Sequence, residues 1–408
     1  MLKKVMKSYD YSIVIVYILL CLFGLIMIYS SSTVSAIQRN GVESDYFYNK
    51  QKIHILISFL LFGAAAIFPY KAFRNKKFLV AMVILSVGGL LLVSLIGHNS
   101  NNAQSWLKLG SRSIQPSEFI KLSVILYLSA AYANKQAYID QFNRGVAPPL
   151  IYLLFVCFLI VQEPDIGSAF IIFMIGITII LCSGMRMRTI MKLVSIAVLI
   201  VAMIAPFLIL KSDSIFTETR MGRISGFLDP FGSAGKEGYH LVNSYLAIGS
   251  GGIKGLGLGQ SIQKLGYLPE SHTDFIMAII AEELGIFGVA FVLFGLAFIV
   301  LKGIMVGIKS RDPFGSMLAI GISSMIGIQS FINLGGMSGL IPITGVTLPF
   351  ISYGGSSLMV LSISMGILTN VAMFNRYDRI YRPGKQEPVP VQRNPQSLSS
   401  IQRNSIRH

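Results

Sequence analysis

The sequence has little charge for its length: of 408 residues only 13% are Asp, Glu, Lys or Arg, against about 25% in a typical soluble domain. Its 3 cysteines are too few for a dense disulfide framework. Hydrophobic residues instead make up 53% of the chain, and the mean hydropathy is +0.66. These proportions exclude a cytosolic enzyme, a disordered scaffold and a disulfide-rich secreted module, and they predict a polytopic membrane protein.

Ten apolar runs approach or exceed the length of about 20 residues that a helix needs to cross a bilayer. The predicted spans are 12–31, 53–69, 78–97, 118–134, 148–162, 166–184, 191–210, 274–301, 314–341 and 355–374. The fifth and sixth are separated only by residues 163–165, with the sequence EPD. We treat them as two spans because a proline breaks a helix and because two carboxylates at mid-membrane would be costly.

The basic residues predict the orientation of these spans. With ten spans both termini lie on the same side, and the segments on that side carry 22 of the 34 Lys and Arg residues. By the positive-inside rule both termini are cytoplasmic. The formal net charge of +16 therefore describes orientation, and no nucleic-acid partner is expected. Residues 376–408, rich in Pro, Gln, Asn, Ser and Arg, predict a disordered basic cytoplasmic tail behind a transmembrane catalytic domain of residues 1–375.

The longest outside segment, residues 211–273, is the natural place for a functional surface because it far exceeds a simple connection. Its end brings Glu270 and His272 next to Asp274 at the boundary of the eighth span. Partial removal of water at this interface would raise a carboxyl pKa toward the range useful for a general base. The structural alternative is that Thr273 or Asp274 only caps the helix that follows.

Three further features could belong to a functional site, and each has a structural alternative. The glycine-dense stretch 249–259 could cradle a phosphate with its backbone amides, or it could be a tight re-entrant turn packed on the helices. Glu118 and Lys121, three residues apart on the fourth span, could neutralise each other or hold a phosphate and its metal. Residues 342–357 interrupt the helical pattern, and irregular backbone at membrane depth indicates the lining of a cavity.

Four motifs along the chain resemble those of the SEDS proteins, named for shape, elongation, division and sporulation. They are 115–122 (QPSEFIKL), 268–275 (LPESHTDF), 281–285 (AEELG) and 349–357 (PFISYGGSS). They follow the family's order and cover essentially the chain up to residue 375. The stretches GLGQS and KLGY between residues 257 and 267 are more similar to the division branch than to the elongation branch, with the sporulation branch left open.

The resemblance implies an all-α SEDS fold of ten transmembrane helices and an enzyme, a peptidoglycan glycosyltransferase. Such an enzyme polymerises lipid II into glycan strands on the outer face of the cytoplasmic membrane during cell division and releases undecaprenyl diphosphate. The implied partners are lipid II, a class B penicillin-binding protein as transpeptidase, other division proteins and membrane lipid. The implied location is the cytoplasmic membrane of a bacterium, at the division septum. The family's essential aspartate corresponds to Asp274, and its glutamate and lysine on the fourth span correspond to Glu118 and Lys121.

The chemistry assigned to these residues is general-base catalysis by Asp274 on the acceptor hydroxyl, with the leaving diphosphate neutralised by cations. The residues expected to bind substrate are Glu118, Lys121, Arg220, Arg223, Glu270, His272, Ser352 and Tyr353. A divalent cation, Mg²⁺ or Mn²⁺, is expected to assist at the diphosphate. The resembled family usually has a basic residue where Gln104 and Ser105 stand, and some of its members have a lysine at the position of Thr344. Anion binding is therefore considered for Arg112, Arg220 and Arg223 instead.

Two other functions compete with division-type polymerisation. One is an elongation-type polymerase, and the other is a flippase that moves lipid II across the bilayer. A flippase needs polar residues through the full depth of the membrane, whereas the polar residues of this sequence cluster toward the outer leaflet. The distribution therefore favours a polymerase.

Overall fold

The computed structural model describes residues 2–100, 103–109, 112–210, 218–233, 235 and 238–381. Its α-helices are α1 (Leu2–Lys7), α2 (Tyr11–Asn40), α3 (Tyr46–Ile67), α4 (Lys76–Ile96), α5 (Pro116–Asn134), α6 (Ala147–Gln162), α7 (Ile166–Leu181), α8 (Met187–Leu210), α9 (Glu218–Leu228), α10 (Tyr239–Gly251), α11 (Ile276–Ile308), α12 (Pro313–Met337) and α13 (Gly355–Tyr381). Short 3₁₀ turns lie at Tyr70–Arg74, Gln136–Tyr138 and Gln263–Leu265, and a π-helical turn lies at Phe142–Val146. The strands are β1 (His98–Ser100), β2 (Ala103–Leu109) and β3 (Arg112–Ile114).

Each of the ten predicted spans coincides with one helix, from α2 to α8 and from α11 to α13. Among the described residues, seven helical segments are long and apolar enough to cross a membrane: Tyr11–Gln38, Tyr46–Ile67, Lys76–Leu95, Phe142–Gln162, Ile276–Ile308, Pro313–Met337 and Gly355–Tyr381. Helix α7 is apolar but has only 16 residues. The chain is a multi-pass membrane protein, and the count of ten crossings stays a prediction.

The break between the fifth and sixth spans lies where the sequence predicts it. Helix α6 ends at Gln162, and α7 begins at Ile166. Asp165 caps α7, because its Oδ1 accepts a hydrogen bond of 3.0 Å from the backbone N–H of Ser168. The carboxylate thus satisfies one of the free N–H groups at the start of the helix.

The segments predicted to be cytoplasmic meet at one end of the helix bundle. The hydroxyl of Tyr70 donates to Asp312 Oδ2 over 2.9 Å, which joins the connection after α3 to the start of α12. At the same end Lys302 Nζ lies 3.5 Å from Asp10 Oδ2. The N-terminal segment, the α3–α4 connection and the α11–α12 connection therefore share one side, as the charge distribution predicts.

Helices α12 and α13 form the centre of the bundle. In their most apolar windows 67% and 83% of the residues are buried, whereas the corresponding fractions for the other spanning segments are 22–39%. The outer helices expose large apolar side chains such as Leu60 and Leu95. Exposed leucine is compatible with a surface that contacts lipid, because the bilayer interior is itself apolar.

A small sheet and two helices outside the spans were not part of the all-α prediction. The strands pair as an antiparallel sheet in the order β1-β2-β3, with Leu107 opposite Ile114. The long outside segment also contains helices, α9 and α10. At the C-terminus α13 continues to Tyr381, beyond the predicted span end at residue 374. The rest of the predicted tail lies outside the described residues.

Candidate functional site

Asp274 lies in a tight turn directly before α11, at the end of the bundle opposite the basic connections. The turn is built on the carbonyl of Glu270, which accepts hydrogen bonds from the backbone N–H groups of Thr273 (3.3 Å) and Phe275 (3.1 Å). The Thr273 hydroxyl donates to Glu270 Oε2 over 2.5 Å. Glu270 and Asp274 are both half-buried, so the turn exposes part of each carboxylate to the outside.

The hydroxyl of Thr273 serves the turn itself rather than the start of α11. The N-cap residue is Phe275, and it makes no side-chain capping bond. The Thr273 hydroxyl bonds to the backbone and side chain of Glu270, within the turn. Thr273 therefore does not cap the helix, whereas a capping role for Asp274 stays a prediction.

Four hydrogen bonds from three residues fasten this turn to the irregular segment that precedes α13. Asn333, on α12, donates from Nδ2 both to the carbonyl of Asp274 (2.8 Å) and to the carbonyl of Val346 (2.7 Å). Ser352 Oγ donates to the carbonyl of Thr273 over 2.6 Å. The backbone N–H of Tyr353 donates to the carbonyl of His272 over 2.9 Å. The backbone of the turn is thus held at three consecutive carbonyls, those of His272, Thr273 and Asp274.

Aromatic rings support the turn from the side of α3. The ring of Phe47 lies 4.4 Å from that of His272 and 5.1 Å from that of Tyr353, measured between centroids. His54 is a further neighbour of Tyr353, at 6.2 Å. Burial, with a smaller contribution from Tyr46, raises the pKa of Tyr353 to about 12. The phenol therefore keeps its proton at neutral pH and is available there as a hydrogen-bond donor.

The segment 342–354 has no regular structure and lies against Asp274. Gly345 has a φ of 75°, and a Cβ placed there would lie 3.6 Å from Asp274 Oδ2. Phe350 is in the left-handed region at φ 67°, a conformation that costs a non-glycine residue about 1–3 kcal/mol. Its ring is buried and packs edge-on against Tyr17 of α2. The burial of this ring holds the strained backbone in place.

Glu118 and Lys121 form an ion pair inside the bundle. Their Oε1 and Nζ atoms are 2.7 Å apart, and both side chains are buried. The pair stands near the beginning of α5. The backbone N–H of Gln115, directly before this helix, donates over 3.2 Å to Ser356 Oγ at the start of α13. The mutual neutralisation foreseen for the pair is present, while a role toward phosphate stays a prediction.

Neighbouring residues connect the start of α5 with the Asp274 turn. Asp165 Oδ2 accepts hydrogen bonds from Gln115 Nε2 (3.3 Å) and Ser117 Oγ (3.5 Å). Two residues along, a Cβ on Gly167 would lie 3.2 Å from the carbonyl of Thr344, in the segment that contacts Asp274. The motifs at 115–122, 268–275 and 349–357 therefore lie at one end of the bundle.

The carboxyl group of Glu163, in the α6–α7 connection, has an altered affinity for protons. Glu163 is buried in the α6–α7 connection, only two residues from Asp165. Burial, reinforced by the negative charge of Asp165, raises the pKa of Glu163 to about 8. The sequence marked this residue only as part of a helix break.

The glycine-dense stretch 249–259 begins in the last residues of α10 and continues as a turn packed on α11. Its backbone N–H groups at Leu256 and Gly257 donate to the carbonyls of Glu282 and Glu283, each over 2.9 Å. Just after the stretch, the N–H of Ile262 donates over 3.0 Å to the Glu282 carboxylate. The anion held here by backbone amides is a carboxylate of the chain itself. The packed-turn alternative is therefore the one observed.

Several candidates for binding the diphosphate lie outside the described side chains. The backbone of Arg220 and Arg223 belongs to α9 and that of Arg112 to β3, but their side chains are not described. Among the described residues, the two buried lysines, Lys121 and Lys264, are each paired with a glutamate at 2.7 Å. The described part of the chain also has no group of three or more His, Cys, Asp or Glu side chains that could hold a metal.

Sequence reasoning overlooked Asn333 and Gln329, which join the helices of the site to its irregular segment. Gln329 Nε2 donates to the carbonyl of Thr347 over 3.1 Å, one turn of α12 away from Asn333. Both side chains are almost fully buried. The sequence could have indicated them, because two amide side chains four residues apart in an apolar span mark a helix face that contacts other protein rather than lipid.

Comparisons with known proteins agree with this arrangement of motifs. Residues 10–377 match the family of cell cycle proteins described by FtsW, RodA and SpoVE. The chain is 55% identical over 389 residues to the probable peptidoglycan glycosyltransferase FtsW of Bacillus subtilis, covering 95% of this chain and 96% of that protein. It is 36% identical to stage V sporulation protein E of the same organism, covering 91% and 98%.

Two solved structures share the fold at 22% identity. One belongs to a study of polymerization and crosslinking by a peptidoglycan synthase complex; the TM-score is 0.70, and the match covers 90% of this chain and 98% of the other. The other is the rod shape determining protein RodA of Thermus thermophilus, with a TM-score of 0.60 and coverage of 91% and 98%. Both likenesses extend over nearly the whole length of the solved chains.

Proposed function

The chain belongs to the FtsW, RodA and SpoVE family of cell cycle proteins, and we propose that it uses Asp274 to polymerise lipid II during cell division. It is a peptidoglycan glycosyltransferase of the division type, as its 55% identity to the FtsW protein of Bacillus subtilis indicates. The observation that supports the role of Asp274 is its half-buried position in a turn whose backbone is fastened through Asn333, Ser352 and Tyr353.

In the proposed reaction the oxygen of the acceptor sugar hydroxyl attacks the anomeric carbon of the donor sugar. The new glycosidic bond forms as the bond from that carbon to the diphosphate oxygen breaks, and the lipid diphosphate leaves with the bonding electron pair. The hydroxyl proton passes to the Asp274 carboxylate and from there to water. General-base assistance of this kind contributes about 10²–10⁴-fold to the rate.

Arg220 and Arg223 are proposed to supply most of the positive charge that neutralises the leaving diphosphate. Lys121 is the less available cation, because its charge is already balanced by Glu118 at 2.7 Å. A divalent cation, Mg²⁺ or Mn²⁺, would take most of its oxygen ligands from the diphosphate, since no cluster of metal ligands stands among the described side chains. Glu270, His272, Ser352 and Tyr353 are proposed to shape the pocket for the sugar next to Asp274.

The partners and the location follow the same reasoning. One of the solved structures similar to this chain comes from a peptidoglycan synthase complex, which supports a penicillin-binding protein as the transpeptidase partner. We place the protein, with other division proteins, in the cytoplasmic membrane at the septum.

The decisive experiment combines the purified protein with labelled lipid II, with and without a class B penicillin-binding protein, and resolves the products on a gel. Wild-type protein is expected to give glycan ladders. Asp274→Asn should give none while it still binds lipid II and unfolds at the wild-type temperature. A full polymer yield from that variant refutes the assignment of the base. Translocation of lipid II in vesicles without any ladder would support a flippase instead.

A further inference from the structure

The chain that leads into the Asp274 turn follows a re-entrant path along α11. After α10 it turns at Gly252, and the carbonyl of Ile253 accepts a hydrogen bond of 3.2 Å from the backbone N–H of Ile286. In an unbroken helix that N–H would bond to the carbonyl of Glu282. The break arises at Gly285, whose φ of 60° and ψ of −151° interrupt α11. The freed backbone groups of α11 are therefore paired with the loop.

This close approach depends on glycine. A Cβ on Gly255, which has a φ of 76°, would lie 2.3 Å from the carbonyl oxygen of Glu283. A Cβ on Gly285 would lie 2.4 Å from the carbonyl oxygen of Ile253. Any larger residue at either position would push the loop away from α11.

The return limb of the loop is fixed by a buried charge cluster. Lys264 Nζ lies 2.7 Å from Glu283 Oε1 and donates over 2.9 Å to Ser30 Oγ, while the Ser30 hydroxyl donates to Glu283 over 2.7 Å. Glu283 is fully buried, and Lys264 is nearly so. The three side chains come from α2, from the loop and from α11. One cluster therefore joins these three elements.

The neighbouring Glu282 carboxylate holds the same limb from a second side. It accepts hydrogen bonds from the hydroxyl of Ser261 and from the backbone N–H of Ile262. Glu283 neutralises Lys264, and Glu282 accepts the N–H of Ile262 at the start of the limb. Ser261 contacts both carboxylates, because its N–H donates to Glu283 over 3.4 Å and its hydroxyl donates to Glu282.

Helix α2 fixes this limb at two consecutive residues. Ser30 contacts Lys264, and the carbonyl of Ser31 accepts a hydrogen bond of 3.0 Å from the hydroxyl of Ser271. Ser271 is completely buried and stands three residues before Asp274. The limb from Lys264 to Ser271 is therefore anchored at both ends before the chain reaches the carboxylate.

We propose that Lys264 and Glu283, joined through Ser30, are positioning residues that hold the limb carrying Asp274 in its working place. The inference rests on the proposed function, in which Asp274 is the base. Neither side chain needs to touch the substrate. Their effect is expected in the rate of the chemical step, since a displacement of about 1 Å at a reacting group can cost about 10²-fold.

The test uses the full-length protein with a cysteine reporter in the limb. Cys157 and Cys182 are replaced by serine, and Leu268→Cys introduces a thiol at a buried position of the limb without removing a hydrogen bond of a side chain. The rate of labelling by a maleimide measures opening of the limb independently of catalysis. On versions without the reporter, kcat and KM for labelled lipid II measure the reaction.

Lys264→Met removes the charge but keeps an apolar side chain of similar length. It should raise the labelling rate by about 10-fold or more, because exchange through local opening scales with the opening equilibrium, and it should lower kcat with little change in KM. Lys254→Met, on the exposed part of the same loop, is the matched control and should change neither. Ser30→Ala, which removes only the bridging hydroxyl, should give a smaller change in both readouts. The exchange Lys264→Glu with Glu283→Lys should restore part of the loss.

Two results would overturn the inference. One is wild-type labelling and wild-type kcat in both Lys264→Met and Ser30→Ala. The other is a loss of kcat without faster labelling, which would mean that Lys264 acts on the substrate itself. If the wild-type protein makes no polymer, the proposed function fails, whereas the labelling rates still decide whether the cluster holds the limb.

Discussion

Asn333 offers the sharpest test of how the fold prepares the site, because one amide group holds two backbone segments. Its Nδ2 donates to the carbonyls of Asp274 at 2.8 Å and of Val346 at 2.7 Å, and the side chain is buried. Asn333→Leu keeps the approximate volume but leaves both carbonyls without this donor. Each buried acceptor that loses its partner costs about 1–3 kcal/mol.

The expected result follows from what still holds the turn. Ser352 and Tyr353 keep their bonds to the carbonyls of Thr273 and His272, so the turn should shift rather than unfold. We therefore expect a lower unfolding temperature and a fall in kcat of about 10²-fold, the loss typical of a misplacement of about 1 Å. KM should change little, because Asn333 is proposed to act through the backbone.

The measurement is initial-rate polymerisation of labelled lipid II, with thermal unfolding followed on the same preparations. Ser330→Ala is a suitable control: Ser330 lies on the same helix, but its hydroxyl donates only within α12, to the carbonyl of Ile326. It should retain most of the activity. Wild-type kcat and unaltered stability in Asn333→Leu would refute the reasoning, since the two bonds would then contribute nothing to the position of Asp274.

Three further predictions test other parts of the structure. Gly251→Ala should destabilise the protein by about 1–3 kcal/mol or more, since its Cβ would meet a carbonyl oxygen of α11 at 1.9 Å. Gly249→Ala in the same helix is the control, because its Cβ would meet nothing within 4 Å. Equal unfolding temperatures of the two variants would contradict the packed-turn geometry. Lys121→Met should lower the free energy of unfolding by about 3–5 kcal/mol, because it leaves the buried Glu118 unpaired. Adding Glu118→Gln should restore the stability. If the double variant also regained the activity, the pair would be only structural. The pKa of Glu163 is raised from 4.5 to about 8, so between these values the folded protein binds more protons than the unfolded chain. The free energy of unfolding should therefore fall as the pH rises through this window. Glu163→Gln should flatten that fall, and parallel pH profiles of the variant and the wild type would refute the shift.

The transmembrane part of the fold was predictable because it depends on composition over long windows. All ten predicted spans coincide with helices, and even the short break at residues 163–165 was placed correctly. The sheet was not predicted, since strands of three to seven residues carry too little periodicity to be distinguished from a loop. Helices α9 and α10 were missed for a related reason: polar and glycine-rich segments outside the membrane lack the apolar stripe on which the prediction relied.

The sequence predicted the chemical groups of the site but not the contacts that hold them. Side-chain chemistry can be read from a sequence, whereas the hydrogen-bond partners of the backbone cannot. The cluster of Glu270, His272 and Asp274 stands out within five residues. The groups that hold it come from far along the chain, since Asn333 lies 59 residues after Asp274 and Ser352 lies 79 residues after Thr273. The same holds for the glycine stretch, where the two alternatives could be separated only once Glu282 and Glu283 were seen to occupy its amides.

The hydrogen bonds of the turn explain why the motifs at 268–275 and 349–357 position Asp274 only together. The acceptors in the first motif are main-chain carbonyls, those of His272, Thr273 and Asp274, and the donors are a backbone N–H and two side chains from other elements. Such carbonyls exist at every position, so their identity leaves no mark on the sequence. What the sequence does record is the set of residues that must reach them, an amide on α12 and a hydroxyl in the strained segment. Asn333 is not among the residues proposed to touch the substrate, so a change at this residue alone should displace the Asp274 carboxylate while every proposed substrate contact keeps its side chain.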